Sequence, residues 1–211
     1  MKAILINPNR TEAMTVSAVD AARRVSPGIE FSGWTSLEGP ASIEGPADYA
    51  CAIPPLLDLV AEADRQSAQV IVIACFDDTG LAEARTRVAC PVIGIGQASY
   101  AYAALLGRPT AVITTVEAAI PQIRANIQAY GQGADIVGVV AAQVPVLSLA
   151  ADPQRALVQF LSAIEALPDN VANVILGCSA TVSIADEIAR QSGLNVIDGV
   201  SAAARLCRVL L

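Results

Sequence analysis

The stretch VIVIACFDD, residues 70–78, decides the fold. Its first four residues are apolar and β-branched, a composition typical of a strand buried on both faces of a parallel sheet. Cys75 follows this run, and Asp77 and Asp78 come directly after it, so reactive side chains begin where the strand ends. Gly80 and an alanine-containing stretch then predict a turn and a helix. The stretch therefore predicts the strand–loop–helix unit of an α/β protein.

Short runs of the same kind recur along the chain and alternate with longer alanine-rich stretches. The predicted strands cover residues 3–6, 70–73, 91–93, 111–113, 137–140, 174–176 and 195–197. The predicted helices cover residues 15–25, 53–66, 80–88, 98–106, 117–130, 153–167, 181–192 and 201–211. Strands that alternate with helices at this spacing indicate an α/β fold built on parallel sheets.

The strand ends repeat in order, which indicates an internal duplication of roughly half the chain. Residues 6–9 correspond to 113–115, the run before Cys75 corresponds to the run before Cys178, and residues 91–94 correspond to 195–198. We therefore predict two similar parallel-sheet α/β domains related by a pseudo-twofold axis. Residues 1–96 plus 199–211 form the first predicted domain, and residues 97–198 form the second.

Cys75 and Cys178 occupy equivalent positions in the two predicted domains. Ligands of open α/β sheets bind beyond the carboxyl ends of the strands, so both thiols are expected in the cleft between the domains. Facing thiols can invert a carbon centre, because one removes a proton from one face while the other delivers a proton to the opposite face. An ordinary thiol pKa of about 8.5 predicts that both protonation states are accessible near neutrality. The remaining cysteines, Cys51, Cys90 and Cys207, have no counterparts and are interpreted as core residues.

The composition excludes several classes of function. The 211 residues include no histidine, which removes Ser-His-Asp and Cys-His catalysis and any histidine-ligated metal. The net charge is −7 and the basic residues are scattered, so nucleic acid is an unexpected partner. Five cysteines without a CxxC motif indicate free thiols in a reducing compartment rather than a disulfide framework.

The chain also shows no signal peptide or membrane-spanning run, and we predict a cytoplasmic protein. No cofactor is expected, because residues 94–96 lack the third glycine of a dinucleotide-binding motif and no Walker lysine is present. The expected partner is a small-molecule substrate, with neither nucleic acid nor a membrane involved.

Several polar residues near the predicted cleft have two interpretations each. Asp77 and Asp78 are candidate carboxylates of the site, but they also suit capping of the helix that begins near Gly80. The hydroxyls of Thr114 and Thr115 can bind a ring carbonyl or N–H group, or can cap the helix near Glu117.

Asn7 precedes Pro8, which favours an extended backbone that projects the amide toward the cleft; a turn-forming asparagine is the alternative. A loop rich in Gly, Pro and Ser covers residues 33–46 after a further probable strand, and it is long enough to cover a pocket. Its candidate lining residues are Trp34, Ile43 and Glu44.

Backbone N–H groups at 76–79 and 179–181 are expected to stabilise an enolate oxygen that develops during proton removal. The candidate substrate-binding residues are therefore Asn7, Ile43, Phe76, Asp77, Asp78, Thr114, Thr115 and Ser179, and no metal ligand is proposed.

These motifs resemble those of hydantoin racemases, including the allantoin racemase branch, within the aspartate/glutamate/hydantoin racemase superfamily. The resemblance runs from end to end in the same order, and the Cys-Phe-Asp-Asp segment at 75–78 is its most specific part. It rests on INPN at 6–9, GPASIEG at 39–45, ACFDDTGL at 74–81, PVIGIG at 91–96, VITT at 112–115, LGC at 176–178 and VIDGV at 196–200.

The resemblance implies a two-domain α/β fold, cofactor-independent racemisation of 5-substituted hydantoins, catalytic roles for Cys75 and Cys178, and a homo-oligomer. Two positions depart from the family pattern: Arg10, and the segment Ser179-Ala180-Thr181 after the second cysteine. These departures bear on the substrate side group rather than on the chemistry.

Three alternatives stay open. A racemase of an acidic amino acid can use Arg10 to bind a carboxylate. A lyase or cis-trans isomerase of the same superfamily needs only one of the two cysteines. A non-catalytic binding module can also place a ligand between two α/β halves.

Overall fold

The structure is a computed structural model, and it describes residues 1–131, 133 and 135–210. The first half of the chain forms four strands and four helices. They are β1 (Lys2–Asn7), α1 (Glu12–Val25), β2 (Glu30–Thr35), α2 (Pro46–Arg65), β3 (Val70–Ile73), α3 (Leu81–Arg85), β4 (Val92–Gly94) and α4 (Ile95–Leu106).

The second half repeats the pattern, with two short 3-10 helices at Glu117–Ala119 and Ser179–Ser183. Its strands and helices are β5 (Thr110–Thr114), α5 (Ile120–Ala129), β6 (Ile136–Ala141), α6 (Val146–Ala151), α7 (Pro153–Glu165), β7 (Asn173–Gly177), α8 (Ala185–Ser192), β8 (Asn195–Asp198) and α9 (Gly199–Leu210).

Each half contains one four-stranded sheet, and the two sheets have the same topology. The strand order is β2-β1-β3-β4 in the first sheet and β6-β5-β7-β8 in the second, and every strand pair is parallel. Ile6 of β1 pairs with Ile73 of β3, and Thr114 of β5 pairs with Gly177 of β7. The predicted fold of two similar parallel-sheet halves is confirmed, and the register brings equivalent strand ends to the same edge of each sheet.

The two halves share one hydrophobic core through α1, α4 and α9. Helix α9 packs against both α1 and α4. The core around them joins apolar residues of both sheets, among them Val72 and Ile175, with the buried Tyr100 of α4 and Cys207 of α9. The end of the chain thus returns to the first half. The proposed boundaries at 96/97 and 198/199 remain a prediction, and Leu211 lies outside the described residues.

Several sequence predictions need correction. Helix α2 begins at Pro46 rather than Ile53, because Pro46 takes the first helical position while the helix continues through Pro54 and Pro55. The six-residue helix α6 is absent from the sequence prediction, and β2 runs to Thr35, which shortens the loop after it to residues 36–45. Cys51 is exposed and Cys90 is half-buried, so only Cys207 of the three unmatched cysteines is a core residue.

None of the helices in the described part of the chain has both the length and the apolar character needed to cross a membrane.

Candidate active site

A pocket lies between the two halves, beyond the carboxyl ends of β3 and β7. The first half contributes Asn9, Met14, Ile43, Cys75, Phe76 and Asp77, and the second half contributes Thr114, Thr115, Ala119, Val146, Cys178 and Ser179. The free space between these side chains is about 30 Å³. This volume accommodates little more than one water molecule, so the pocket is nearly closed.

Cys75 belongs to a tight turn that follows β3. The Asp78 N–H donates to the Cys75 carbonyl at 3.0 Å, and the fully buried Thr79 donates its hydroxyl proton to the Cys75 Sγ at 3.3 Å. Burial raises the pKa of the Cys75 thiol well above its ordinary value, and the nearby Asp77 carboxylate raises this pKa further. The Thr79 hydroxyl and the Asp77 N–H oppose this shift because they stabilise a thiolate.

Cys178 follows β7 at the equivalent position and begins the 3-10 helix at Ser179–Ser183. Burial raises the pKa of its thiol to about 12, while the N–H groups of Ala180 and Thr181 favour the thiolate. Charge on Cys178 raises the pKa of Cys75 slightly, and both residues line the same pocket. The expectation of thiol pKa values near neutrality is therefore wrong for this structure, and both cysteines favour the protonated form.

Asp77 lies on the wall of the pocket and is 6% exposed. Burial and then the neighbouring Asp78 carboxylate raise the pKa of Asp77 to about 7. The backbone carbonyl of Asp77 accepts two hydrogen bonds, from the Tyr49 hydroxyl at 2.6 Å and from the Asn126 amide at 2.7 Å. These contacts fix the loop that carries Cys75 against both halves of the molecule.

Asp78 points away from the pocket and binds the start of α4. Its carboxylate accepts hydrogen bonds from the N–H groups of Gly96 at 3.0 Å and Gln97 at 2.8 Å, and from the Tyr130 hydroxyl at 3.0 Å. A Cβ atom on Gly94 would lie 1.9 Å from the Asp78 Oδ1, so the close approach requires glycine there. Asp78 thus caps a helix, but α4 rather than the helix after Gly80, and it does not line the pocket.

Asn7 also points away from the pocket. Its amide donates to the Asn9 side chain, the Thr11 carbonyl and the Thr15 hydroxyl, and its Oδ1 accepts from the Asn9 N–H. Asn7 therefore has the turn-forming role, and the expectation that its amide projects into the cleft is wrong. Asn9 takes the place in the pocket instead, and the only contact of its Nδ2 in the described structure is a weak one of 3.6 Å to the Met14 Sδ.

The other predicted binding residues surround the two thiols. Thr114 donates its hydroxyl proton to the Gly177 carbonyl at 3.2 Å. The hydroxyls of Thr115 and Ser179 make no hydrogen bond to the described part of the chain, so they are free donors in the pocket. Neither threonine caps the 3-10 helix at Glu117. Ile43 and Phe76 contribute apolar wall.

Residues 36–45, which we call the strap, cross the pocket from one half to the other. The strap is tied to the start of α1, because the Arg10 N–H donates to the Pro40 carbonyl at 2.9 Å and the Thr11 hydroxyl donates to the Ala41 carbonyl at 2.8 Å. At its other end the Glu44 carboxylate accepts the Val146 N–H of α6 at 2.7 Å. Trp34 lies before the strap and packs against the core of the first half instead.

No lysine or arginine lines the pocket within the part of the chain that the structure describes. Arg10 is exposed, and its backbone rather than its guanidinium makes the contact to the strap. The described residues also contain no cluster of three or more Cys, Asp or Glu side chains arranged to hold a metal ion. The site is therefore made of two thiols, neutral hydrogen-bond donors and one carboxyl group.

Sequence reasoning missed the pocket residues Asn9, Met14, Ala119 and Val146. Asn9 belongs to the INPN motif and could have been found there, since Asn7 ends β1 and Asn9 follows it by two positions. Val146 comes from the unpredicted α6, and no local signal in the sequence indicated it.

Fold and pocket together define a two-domain α/β protein with one thiol from each domain in a nearly closed interdomain pocket. The sequence profile of the Asp/Glu/Hydantoin racemase family matches residues 4–207. A hydantoin racemase of Rhizobium meliloti is 39% identical over 210 residues, which cover 98% of this chain and 87% of that relative.

Two solved structures with similar folds are allantoin racemases. The enzyme of Pseudomonas fluorescens has a TM-score of 0.92 at 28% identity and covers 100% of this chain and 90% of its own. The enzyme of Klebsiella pneumoniae has a TM-score of 0.89 at 31% identity, and the match covers 100% of this chain and 87% of that enzyme. The chain belongs to the Asp/Glu/Hydantoin racemase family, which confirms the resemblance found in the sequence. It is an isomerase of the racemase class.

Proposed function

We propose that the protein racemises 5-substituted hydantoins, such as allantoin, by moving protons between Cys75 and Cys178 without a cofactor. The observation that carries this proposal is the placement of two thiols, the half-buried Cys75 and the buried Cys178, one from each half, at equivalent strand ends around a single pocket. The hydantoin and allantoin racemases among its relatives support this choice of substrate ring.

In the proposed step one cysteine is a thiolate and the other a thiol. The thiolate takes the proton from C5, so that an S–H bond forms and the C–H electron pair moves into the ring as an enolate. The second thiol then gives its proton to the opposite face of C5. The product is the other enantiomer, and the two cysteines have exchanged protonation states. No oxidant, reductant or other reactant is needed.

The enolate needs hydrogen-bond donors at the ring carbonyl oxygen, where negative charge develops. The Asp77, Ala180 and Thr181 N–H groups favour the thiolates, so they serve the sulfur atoms rather than the enolate. We assign the ring oxygen instead to the Asn9 amide, which otherwise makes only a weak contact to the Met14 Sδ, and to the Thr115 hydroxyl, which makes no hydrogen bond to the described part of the chain.

A racemase of acidic amino acids is the second candidate function, and the charges disfavour it. Its substrates carry carboxylates that need cationic partners, whereas the described pocket wall has no cation and includes Asp77. Burying an unpaired carboxylate beside a second one is costly. The hydantoin ring is uncharged and avoids this cost.

We further propose a cytoplasmic homo-oligomer made of the two domains described above, with boundaries at 96/97 and 198/199. Five free cysteines are compatible with a reducing compartment. Exposed apolar side chains on α4 and α9, including Leu105 and Val209, support association between copies. The net charge of −7 argues against binding to nucleic acid or to an anionic membrane.

The test follows enantiopure allantoin and 5-benzylhydantoin in D2O by circular dichroism and proton NMR, with wild type beside Cys75→Ser and Cys178→Ser. We expect loss of optical signal together with deuterium at C5, and racemisation lowered about 10³-fold in each variant. A wild-type rate equal to the enzyme-free rate for both compounds would refute the proposed function. Full activity in either serine variant would refute the two-cysteine mechanism.

A further inference from the structure

A second cavity lies beside the cysteine pocket, between the start of α2 and the segment that leads into α5. It measures about 310 Å³, roughly ten times the space between the thiols. The two spaces share Asp77 and Ala119 in their walls, so they are direct neighbours. The cavity wall is completed by Gly45, Pro46, Tyr49, Ala118, Pro121 and Gln122.

The geometry of inversion determines where a substituent on the reacting carbon has to go. When the proton leaves C5, the three remaining bonds lie in one plane, perpendicular to the line along which the protons move. That line joins Cys75 and Cys178, so the ring and the C5 substituent both extend sideways from it. Of the two neighbouring spaces, the side cavity has the larger free volume and can take the substituent.

The wall of this side cavity is largely apolar. Its polar groups in the described structure are the Tyr49 hydroxyl, which is used by the Asp77 carbonyl, the Asp77 carboxyl group and the Gln122 amide. The Gln122 amide donates to Asn126 at 2.9 Å, and Asn126 in turn donates to the Asp77 carbonyl at 2.7 Å. Among the described residues no lysine or arginine lines this wall, so an anionic substituent would lie next to Asp77 without a cation from that part of the chain.

We propose that the side cavity binds the C5 substituent of the substrate and selects uncharged substituents over anionic ones. This inference rests on the proposed function, since it assumes that the hydantoin ring lies between the two thiols. It makes Ala118 and Gln122 specificity-determining residues, although neither lies in the cysteine pocket.

The experiment measures kcat/KM by polarimetry for three hydantoins that differ only at C5: methyl, isobutyl and carboxymethyl. Wild type is expected to prefer isobutyl over carboxymethyl by at least about tenfold, because a carboxylate would lie beside Asp77 without a cation in the described wall and would leave the apolar wall uncovered. Ala118→Phe fills the cavity and is expected to lower the isobutyl-to-methyl ratio at least about tenfold. Ala125→Phe, at an exposed position of the following helix α5 that lines neither space, is the matched control and should leave this ratio unchanged.

Gln122→Lys tests for a gain in activity toward the carboxymethyl substrate, which misfolding of the variant cannot produce. A cation at this exposed position is expected to raise the carboxymethyl-to-isobutyl ratio about threefold, the size of a solvent-exposed ion pair. The inference is overturned if Ala118→Phe and Ala125→Phe show the same substrate ratios, or if wild type accepts carboxymethyl as well as isobutyl. A wild type that racemises none of the three hydantoins would instead overturn the proposed function, and this inference with it.

Discussion

The loops after β3 and β7 occupy equivalent positions in the two sheets but differ in charge and backbone. The first loop is a tight turn with Asp78 and Gly80 in the left-handed region, and it carries two buried carboxyl groups. The second is a 3-10 helix, Ser179–Ser183, without any ionisable side chain. Duplication thus preserved the position of the thiols, while the surroundings of each thiol diverged. Two chemically identical groups can in this way have different proton affinities.

The largest expected effect separates the two cysteines by the enantiomer that each one deprotonates. In Cys75→Ser the remaining Cys178 can remove and return a proton on its own side only. We expect C5 deuteration of one enantiomer without inversion, and deuteration of the other enantiomer in Cys178→Ser, while racemisation falls about 10³-fold in both. The two enantiomers are separated on a chiral column, and proton NMR of each fraction measures its deuterium content at C5. The same enantiomer exchanging in both variants would contradict facing thiols.

Asp77 and Asp78 are expected to have opposite effects on stability. Asp78→Asn weakens three hydrogen bonds at the start of α4 and should cost about 2 kcal/mol, a cost that should shrink as pH rises because burial raises the pKa of Asp78 to about 7 as well. Asp77 has a pKa raised to about 7, above its value in the unfolded chain, so its contribution to folding becomes less favourable as pH rises from about 4 to 7. Asp77→Asn should therefore gain stability over wild type as pH rises through this range.

Urea denaturation at pH 4.5 and pH 8 measures both changes in the free energy of unfolding. The contrast fails if Asp77→Asn has the same advantage at the two pH values, or if Asp78→Asn is as stable as wild type.

Asp77 is also expected to control the pH dependence of catalysis. Its charge raises the pKa of both thiols, and that charge is present only above about pH 7. Asp77→Asn should raise kcat/KM about tenfold at pH 8.5, with little change at pH 6 where the wild-type group is already protonated. Glu44→Gln, which removes a carboxylate near Cys178 alone, is the comparison and should give a smaller rise. A fall in activity at pH 8.5 would instead assign Asp77 a direct role in proton transfer.

The smallest expected effect concerns the two threonines that follow the cysteines. Thr79 donates to the Cys75 Sγ, whereas Thr181 donates to the Cys178 carbonyl. Thr79→Val should raise the Cys75 pKa, move the acid limb of the pH profile upward and lower kcat/KM at pH 7 about fivefold. Thr79→Ser should restore the profile, and Thr181→Val should leave its midpoint unchanged. Because enantiomers have equal free energies, kcat/KM must fall equally in both directions of reaction.

The sequence predicted the parts of this comparison that depend on local pattern. β-branched runs marked the strands, and the repeated order of strand ends brought Cys75 and Cys178 to equivalent positions. The roles of Asp78 and Asn7 depended on contacts that local pattern does not contain. Asp78 binds the N–H groups of a helix 18 positions later, and Asn7 folds back on Asn9 and Thr15. Such roles follow from packing between elements, which periodicity does not specify.

Burial explains why the pKa values of Cys75 and Cys178 differ from the values expected from the sequence. An exposed thiol has a pKa near 8.5, and this value was the natural expectation for both cysteines. Burial in the pocket raises both pKa values. This burial depends on how the strands, the helices and the strap pack in three dimensions, and the sequence indicated the strap only as a loop.

In the nearly closed pocket, the protonation states of the two cysteines persist after each turnover of the proposed enzyme. After one enantiomer has been converted, the protons sit on the cysteines in the arrangement that suits only the reverse reaction. With room for little more than one water molecule beside the thiols, resetting that arrangement depends on proton exchange with solvent at a confined site. At high substrate concentration the resetting step, rather than the carbon chemistry, then limits the net rate. The closure of the pocket thereby sets how quickly the two thiols regain the protonation states that the starting enantiomer requires.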